Sequence, residues 1–287
     1  MFIIDYFYKV PTVDKNDHIE IEGINREDYA TDQYRRIAPI IKLTKPTAVL
    51  YAGGAGISQS ESRNVSNVPD KYAGTVPYQD SQILIKELSA YSMHKWIGDM
   101  ENNEFVVYAS VNGNSCASSM YSLYEAERLL SNDEVEEVVI IAEERTSFNT
   151  IRIFKEHYIP LTVSDGLAIV KLSKSDNGNN IEITDTKWKY EWNRNPFGVT
   201  KKGYLTIDNK TDMVKLHGTG TPANNKAEEV LTTNKDSINY KSKIGHSQGA
   251  SALLELCIAI DDENAKGDIL CVASGLGGFY GSCILHK

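Results

Sequence analysis

The chain has 287 residues, 41% of them hydrophobic, and a formal net charge of -9. That is enough to bury a substantial core, and it is too acidic for broad binding to nucleic acid or an anionic membrane, both of which need clustered basic surface. No apolar run reaches the roughly 20 residues of a spanning helix, and the start, MFIIDYFYKV, is a short apolar patch broken by an aspartate, with no cleavage signature. A cytoplasmic protein is expected. Its four cysteines, Cys116, Cys257, Cys271 and Cys283, are far apart and mostly within apolar stretches, unlike a disulfide framework or paired CxxC metal ligands.

No low-complexity tract or proline-rich linker divides the chain, so the reading is one domain over 1–287, with a weak internal echo that splits it near Ser175 into halves of about 1–175 and 176–287. In chain order, KPTAVLYAGGAGIS (Lys45 to Ser58) reads as a strand running into a glycine turn. A dinucleotide fingerprint would need a helix straight after it, but the polar run SQSESRNVSN follows instead. Pro69 to Pro77 reads as loop and Gln82 to Trp96 as a helix.

Phe105 to Ala109 is strand-like and leads through the small-residue turn VNGNS to Cys116, after which Met120, Leu123, Tyr124 and Leu130 recur at helical spacing. Strands follow at Val138 to Ala142 and Leu167 to Leu172. The second half repeats the plan. INYKSKIG leads into His246 and a helix whose Ala250, Leu253, Leu254, Cys257 and Ile258 form an apolar stripe, then come the strands DILCVAS and GSCILH. A reactive residue thus opens a buried helix at matching places in each half. Such alternation of buried helices with continuous apolar strands indicates an α/β layer structure.

A lone cysteine is most often an inert apolar residue. Cys116, however, stands at a strand-to-helix junction, where free N–H groups and the macrodipole favour a thiolate and supply oxyanion donors. His217 opens HGTGTP after the strand-like MVKL, and Thr219 and Thr221 offer hydroxyls to a polar substrate arm. Lys241 precedes His246 by five residues in KSKIGHSQGA. A cysteine and two histidines could bind zinc, but their wide separation matches no compact ligand motif. A thiolate that takes an acyl group, with imidazoles that stabilise an enolate, fits the set better.

These segments resemble the β-ketoacyl synthases of the thiolase-like superfamily. NSCASSMYSLYEAERLL is similar to their nucleophile segment, HGTGTPANNKAEEV to their first histidine motif, and KSKIGHSQGASALLE to their lysine and second histidine motif. SDGLAIVKL and SGLGGFYGSCIL are similar to the strands that close the halves. The resemblance covers most of the chain from Lys45 onward and implies a duplicated five-layered αβαβα fold, usually dimeric. It implies that Cys116 carries the acyl chain and that His217 and His246 act in decarboxylation of a malonyl thioester.

It further implies a buried Lys241–Glu228 pair, an oxyanion hole from the backbone N–H groups of Cys116 and Ser274, and Thr219 and Thr221 facing a phosphopantetheine arm. That arm belongs to the substrate acyl carrier protein, so no resident cofactor or metal is implied. A homodimer or a ketosynthase-like heterodimer is the expected assembly. The Cys-His-His set is that of the elongating type, whereas an acyltransferase of the same fold and a non-catalytic chain-length subunit are the alternatives. The chain is shorter than a typical elongating synthase, with Ser274 where an aromatic gate usually sits, Phe279 and Tyr280 in place of threonine and asparagine, and Asn225 in place of aspartate. A specialised pathway is therefore expected.

Overall fold

The structure, a computed structural model, describes residues 1–25, 30–53, 78–146, 148–156, 160–192, 199–205, 207 and 211–287. The expected turn at 54–58 and loop at 69–77 lie outside these residues. Strands are β1 (Phe2–Lys9), β2 (Val13–Asp14), β3 (His18–Glu20), β4 (Thr47–Gly53), β5 (Val106–Asn112), β6 (Glu137–Glu144), β7 (Val163–Ser164), β8 (Gly166–Ser173), β9 (Glu182–Tyr190), β10 (Met213–Lys215), β11 (Asp236–Ile238), β12 (Asp268–Gly275) and β13 (Phe279–His286). Helices are α1 (Ala30–Ile37), α2 (Tyr78–Asp99), α3 (Ser118–Leu130), α4 (Phe148–Glu156), α5 (Lys201–Tyr204), α6 (Pro222–Thr232), α7 (Lys241–Ile244) and α8 (Ser251–Asp261).

The main sheet runs β11-β10-β12-β13-β9-β1-β8-β6-β4-β5. Among these strands, β1, β4, β5, β6 and β8 belong to the first half and β9 to β13 to the second. Each set has the same spatial order: third, second, fourth, fifth, first. In both, the second strand runs parallel to its two neighbours, and the fifth is antiparallel to the fourth and the first. The two sets meet at the single pair Phe2↔Glu182 between β1 and β9.

Strand periodicity explains the layers. Along β4, Ala48, Leu50 and Ala52 face the central helices, whereas Val49 and Tyr51 face outward. The inner faces of both sets close on α3 and α8, whose Met120, Leu123, Leu253 and Leu254 share one core with Ile140, Val170 and Cys271. Tyr34 of α1 and Trp96 of α2 cover the outer face of the first set. Tyr204 of α5 with Ala227 and Leu231 of α6 covers that of the second. The result is the five-layered αβαβα arrangement. No helix among the described residues is long and apolar enough to cross a membrane.

Central helices packed this tightly need small residues. Ser118, Ser119, Ser122 and Ala126 on α3, and Ser251 and Ala252 on α8, are all buried, and Leu253 N–H donates to Ser119 Oγ across the helix contact at 3.1 Å. The MFIIDYFYKV patch is a finding of the structure rather than of the sequence. It forms β1, the strand that joins the halves, and a register shift between Ile3 and Asp5 puts Ile3 on the same inner core as Tyr6 and Tyr8, with Phe7 on the outer one.

Candidate active site

Cys116 lies at the expected strand-to-helix junction, between β5 and α3. It is the middle residue of a 3₁₀ turn, Ser115–Ala117, that precedes α3. Ser115 takes φ 55, a left-handed conformation that costs a non-glycine residue roughly 1–2 kcal/mol and that re-aims the chain between β5 and α3. Ser118 Oγ accepts from Asn114 N–H at 2.8 Å and donates to Ser115 O at 2.6 Å, which holds the turn closed. On its other side β12 comes very close: a Cβ on Gly275 would stand 2.6 Å from Asn114 O.

The second half has a counterpart in the 3₁₀ turn Gln248–Ala250, which precedes α8 and also opens on a left-handed residue, Gln248 at φ 41. The two turns pack against each other. The residue equivalent to Cys116 is therefore Gly249, and the expected match with His246 is off by three residues. His246 is set ahead of the turn because Gly245, at φ 78, turns the chain to pair with β7. There His246 N–H donates to Thr162 O at 2.8 Å and Ser164 N–H donates to His246 O at 3.1 Å.

The rings of His217 and His246 meet edge to face, their centroids 5.6 Å apart and their planes at 89°. Both residues are buried, and the Phe154 ring of α4 lies 6.1 Å from that of His246. His246 Nδ1 bonds Ser251 Oγ at 3.0 Å, while His217 Nδ1 is enclosed without a partner. Glu228 binds the backbone at the first histidine, accepting from His217 N–H at 2.6 Å and Gly218 N–H at 3.2 Å, and also from the Asn224 amide. Thr221 spends its hydroxyl as the N-cap of α6, with Pro222 following in the first turn. Thr219 Oγ1 lies 3.3 Å from Thr221 Oγ1.

The expected Lys241–Glu228 ion pair is not formed. Glu228 is committed to the His217–Gly218 turn, and Lys241 Nζ instead donates to Glu255 of α8, whose other oxygen accepts from Lys215 Nζ at 2.6 Å. All three side chains are at most 1% exposed. Lys215 and Glu255 were missed by sequence reasoning, and each has a signal. A lysine inside the apolar strand MVKL and a glutamate inside the apolar helix ALLELCIAI are expensive to bury unless they meet. On β10 the alternation sends Val214 to the outer core and Lys215 inward.

Burial and these charges set the titration of the site. The Cys116 thiol is held above its ordinary value by desolvation, which outweighs the Ser115 hydroxyl and the Lys241 ammonium, with Glu144 adding to the rise. The expected fall in its pKa is thus overturned: the residue precedes the helix proper, and loss of water outweighs the favourable groups. Both imidazoles are pushed well below 6.5 by burial, then by Lys241 and Lys215, with His246 adding to the effect on His217. They are neutral at pH 7. The Lys241 charge bears on Cys116, His217 and His246 alike.

Below 6.5 the unfolded histidines take up protons that the folded ones refuse, so stability falls as pH drops through 6.5 toward the depressed folded values, by up to about 1.4 kcal/mol per pH unit for each ring. Urea midpoints at pH 7.5 and 5.0 check this: wild type should lose more than a His217→Phe, His246→Phe variant, and equal losses would contradict the buried neutral rings.

Ser274 is buried at the end of β12. The residues beyond it divide between layers: Tyr280 packs edge-on against Tyr204 and accepts at its hydroxyl from Thr200 N–H at 2.9 Å, whereas Phe279 stacks on Trp188. Lys201 and Lys202 are solvated and paired with Glu229 and Glu191.

No protein-family model and no curated protein sequence matches the chain. Its fold does match solved structures. "The ishigamide ketosynthase/chain length factor" superposes with a TM-score of 0.70 at 15% identity, covering 98% of this chain and 91% of the other. A β-ketoacyl synthase from Burkholderia phymatum gives 0.67 at 15% identity over 85% of this chain and 76% of the other. The ketosynthase ApeO in complex with its chain length factor ApeC, from Xenorhabdus doucetiae, gives 0.62 at 12% identity over 99% and 97%. The chain shares the five-layered thiolase-like fold of these structures.

Proposed function

We propose that this chain is a β-ketoacyl synthase, in polyketide or specialised fatty-acid biosynthesis, that condenses an acyl thioester with a malonyl unit on acyl carrier protein and releases carbon dioxide. The observation that carries this reading is the edge-to-face contact of His217 and His246 together with the packing of the Cys116 turn on the turn that follows His246. In the first step the Cys116 sulfur attacks the acyl thioester carbon, the carrier's C–S bond breaks, and the thiol proton passes to the departing carrier thiolate. In the second, malonyl thioester loses carbon dioxide, and the enolate carbon attacks the acyl carbon as the bond to Cys116 breaks.

Neutral rings suit the second step. A neutral imidazole donates an N–H to the enolate oxygen without handing that proton over, and in a dry site that donation is strong. A buried Nδ1 without a partner, as in His217, costs less as a lone pair than as an N–H, which favours Nε2–H as the donor. The backbone N–H groups of Cys116 and Ser274 supply the oxyanion donors for the acyl step, and Thr219 faces the phosphopantetheine arm.

A partner subunit fits the open edge of the sheet. Along β5, Val107 is 55% and Tyr108 40% exposed, and among the described residues the strand pairs on one side only. The neighbours titled as ketosynthase with chain length factor support a heterodimer. They also admit the reading of a non-catalytic chain-length subunit, which the complete Cys-His-His set disfavours.

Carbon dioxide release from malonyl carrier protein tests the proposal. Loss of either imidazole, in His217→Ala or His246→Ala, should lower it roughly a hundredfold or more. Equal rates in wild type and both variants would refute the role of the pair.

A further inference from the structure

Ser251, the first residue of α8, has its hydroxyl buried and 3.0 Å from His246 Nδ1. The bond is open to two readings, since either partner can hold the hydrogen. Its surroundings decide between them. If Nδ1 carried the proton, Ser251 would accept, and its own hydroxyl hydrogen would need a second acceptor. Among the described residues Nδ1 is the only partner of that hydroxyl, which makes no bond to the carbonyl four residues back, Ser247 O. A buried hydroxyl hydrogen with nowhere to go is strongly disfavoured, so Ser251 donates and Nδ1 accepts.

The opposite edge of the ring agrees. His246 Nε2 has no partner among the described residues and, unlike His217 Nδ1, is not sealed inside the protein. The backbone of His246 is pinned on both sides by the β7 segment, so among the described residues Ser251 is the one polar contact that fixes the ring itself.

We propose that Ser251 is a positioning residue that holds His246 as the Nε2–H tautomer and presents that N–H as a hydrogen-bond donor on the open edge of the ring. As a statement about catalysis this rests on the condensing role proposed above. The tautomer itself does not. Ser251 is thereby distinct from the helix-packing serines of α3, which it resembles in sequence context.

The test is a long-range ¹H–¹⁵N correlation of the imidazoles in the full-length protein at pH 7.5, with His246 assigned by the signal lost in His246→Asn. In wild type, Nε2 should be protonated and Nδ1 a hydrogen-bonded acceptor. Ser251→Ala should shift the tautomer ratio roughly tenfold, the scale of one net hydrogen bond, and lower kcat for malonyl decarboxylation several-fold at unchanged KM, whereas Ser251→Thr should keep both. An Nδ1–H tautomer in wild type, or an unchanged ratio in Ser251→Ala, would overturn the proposal. If the tautomer behaves as stated while wild type decarboxylates nothing, the role of Ser251 on the ring stands and the condensing reading falls.

Discussion

Glu255→Leu is expected to lose roughly 3–5 kcal/mol of stability at pH 7, a large part of the 5–15 kcal/mol that holds an ordinary domain together. The reason lies in the charge count. Glu255 ion-pairs both Lys215 and Lys241, and its removal leaves two buried ammonium groups with only Glu228, committed to the His217–Gly218 backbone, as a nearby carboxylate. They can escape only by losing protons, so their folded pKa values drop below the unfolded 10.5. The unfolded chain then binds more protons, and stability rises with pH. Urea midpoints should therefore show the variant badly weakened at pH 7 and partly recovered at pH 9.5. The triple variant Lys215→Met, Lys241→Met, Glu255→Leu should regain stability, because an apolar trio needs no pairing. A single variant within about 1 kcal/mol of wild type at pH 7 would show that the triad is not the buried unit described.

Cys116→Ala should abolish acyl transfer, by roughly a thousandfold or more, with little change in stability because the residue is half-buried and loses only a sulfur. The other three cysteines are fully enclosed, so brief treatment with iodoacetamide should label wild type once and the variant not at all. The labelling rate should climb with pH through a value above the ordinary 9.0, since desolvation holds the thiol protonated. A labelled Cys116→Ala protein, or a rate that levels off near pH 7, would contradict this picture.

The sequence made the inner layers legible because their signals are local. Continuous apolar runs such as VVIIA and DILCVAS could only be buried strands, and the stripe on α8 could only be a core helix. β1 was illegible because its alternation is interrupted by the register shift at Ile3 and Asp5. Cys116, His217, His246 and Lys241 could be picked out by motif, yet their pairing could not. Whether Lys241 meets Glu228 or Glu255 depends on which carboxylate the backbone of His217 has already claimed, a matter of tertiary contact. The thiol pKa failed for a related reason, since the helix position is written in the sequence and the loss of solvent is not. Ser251 was hidden among the other buried serines of the two central helices, none of which bonds a histidine ring.

The central claim is that Cys116 carries an acyl group that the two histidines help to condense. Intact-mass measurement of the enzyme and carrier, after incubation with an acyl thioester donor and malonyl carrier protein, tests it directly. The expected result is an acyl adduct on Cys116 that disappears as carbon dioxide is released and a β-ketoacyl carrier accumulates. An adduct that passes to an alcohol or amine with the malonyl unit intact would make the protein an acyltransferase, and no adduct under any pairing of substrates and subunits would contradict catalysis by this chain.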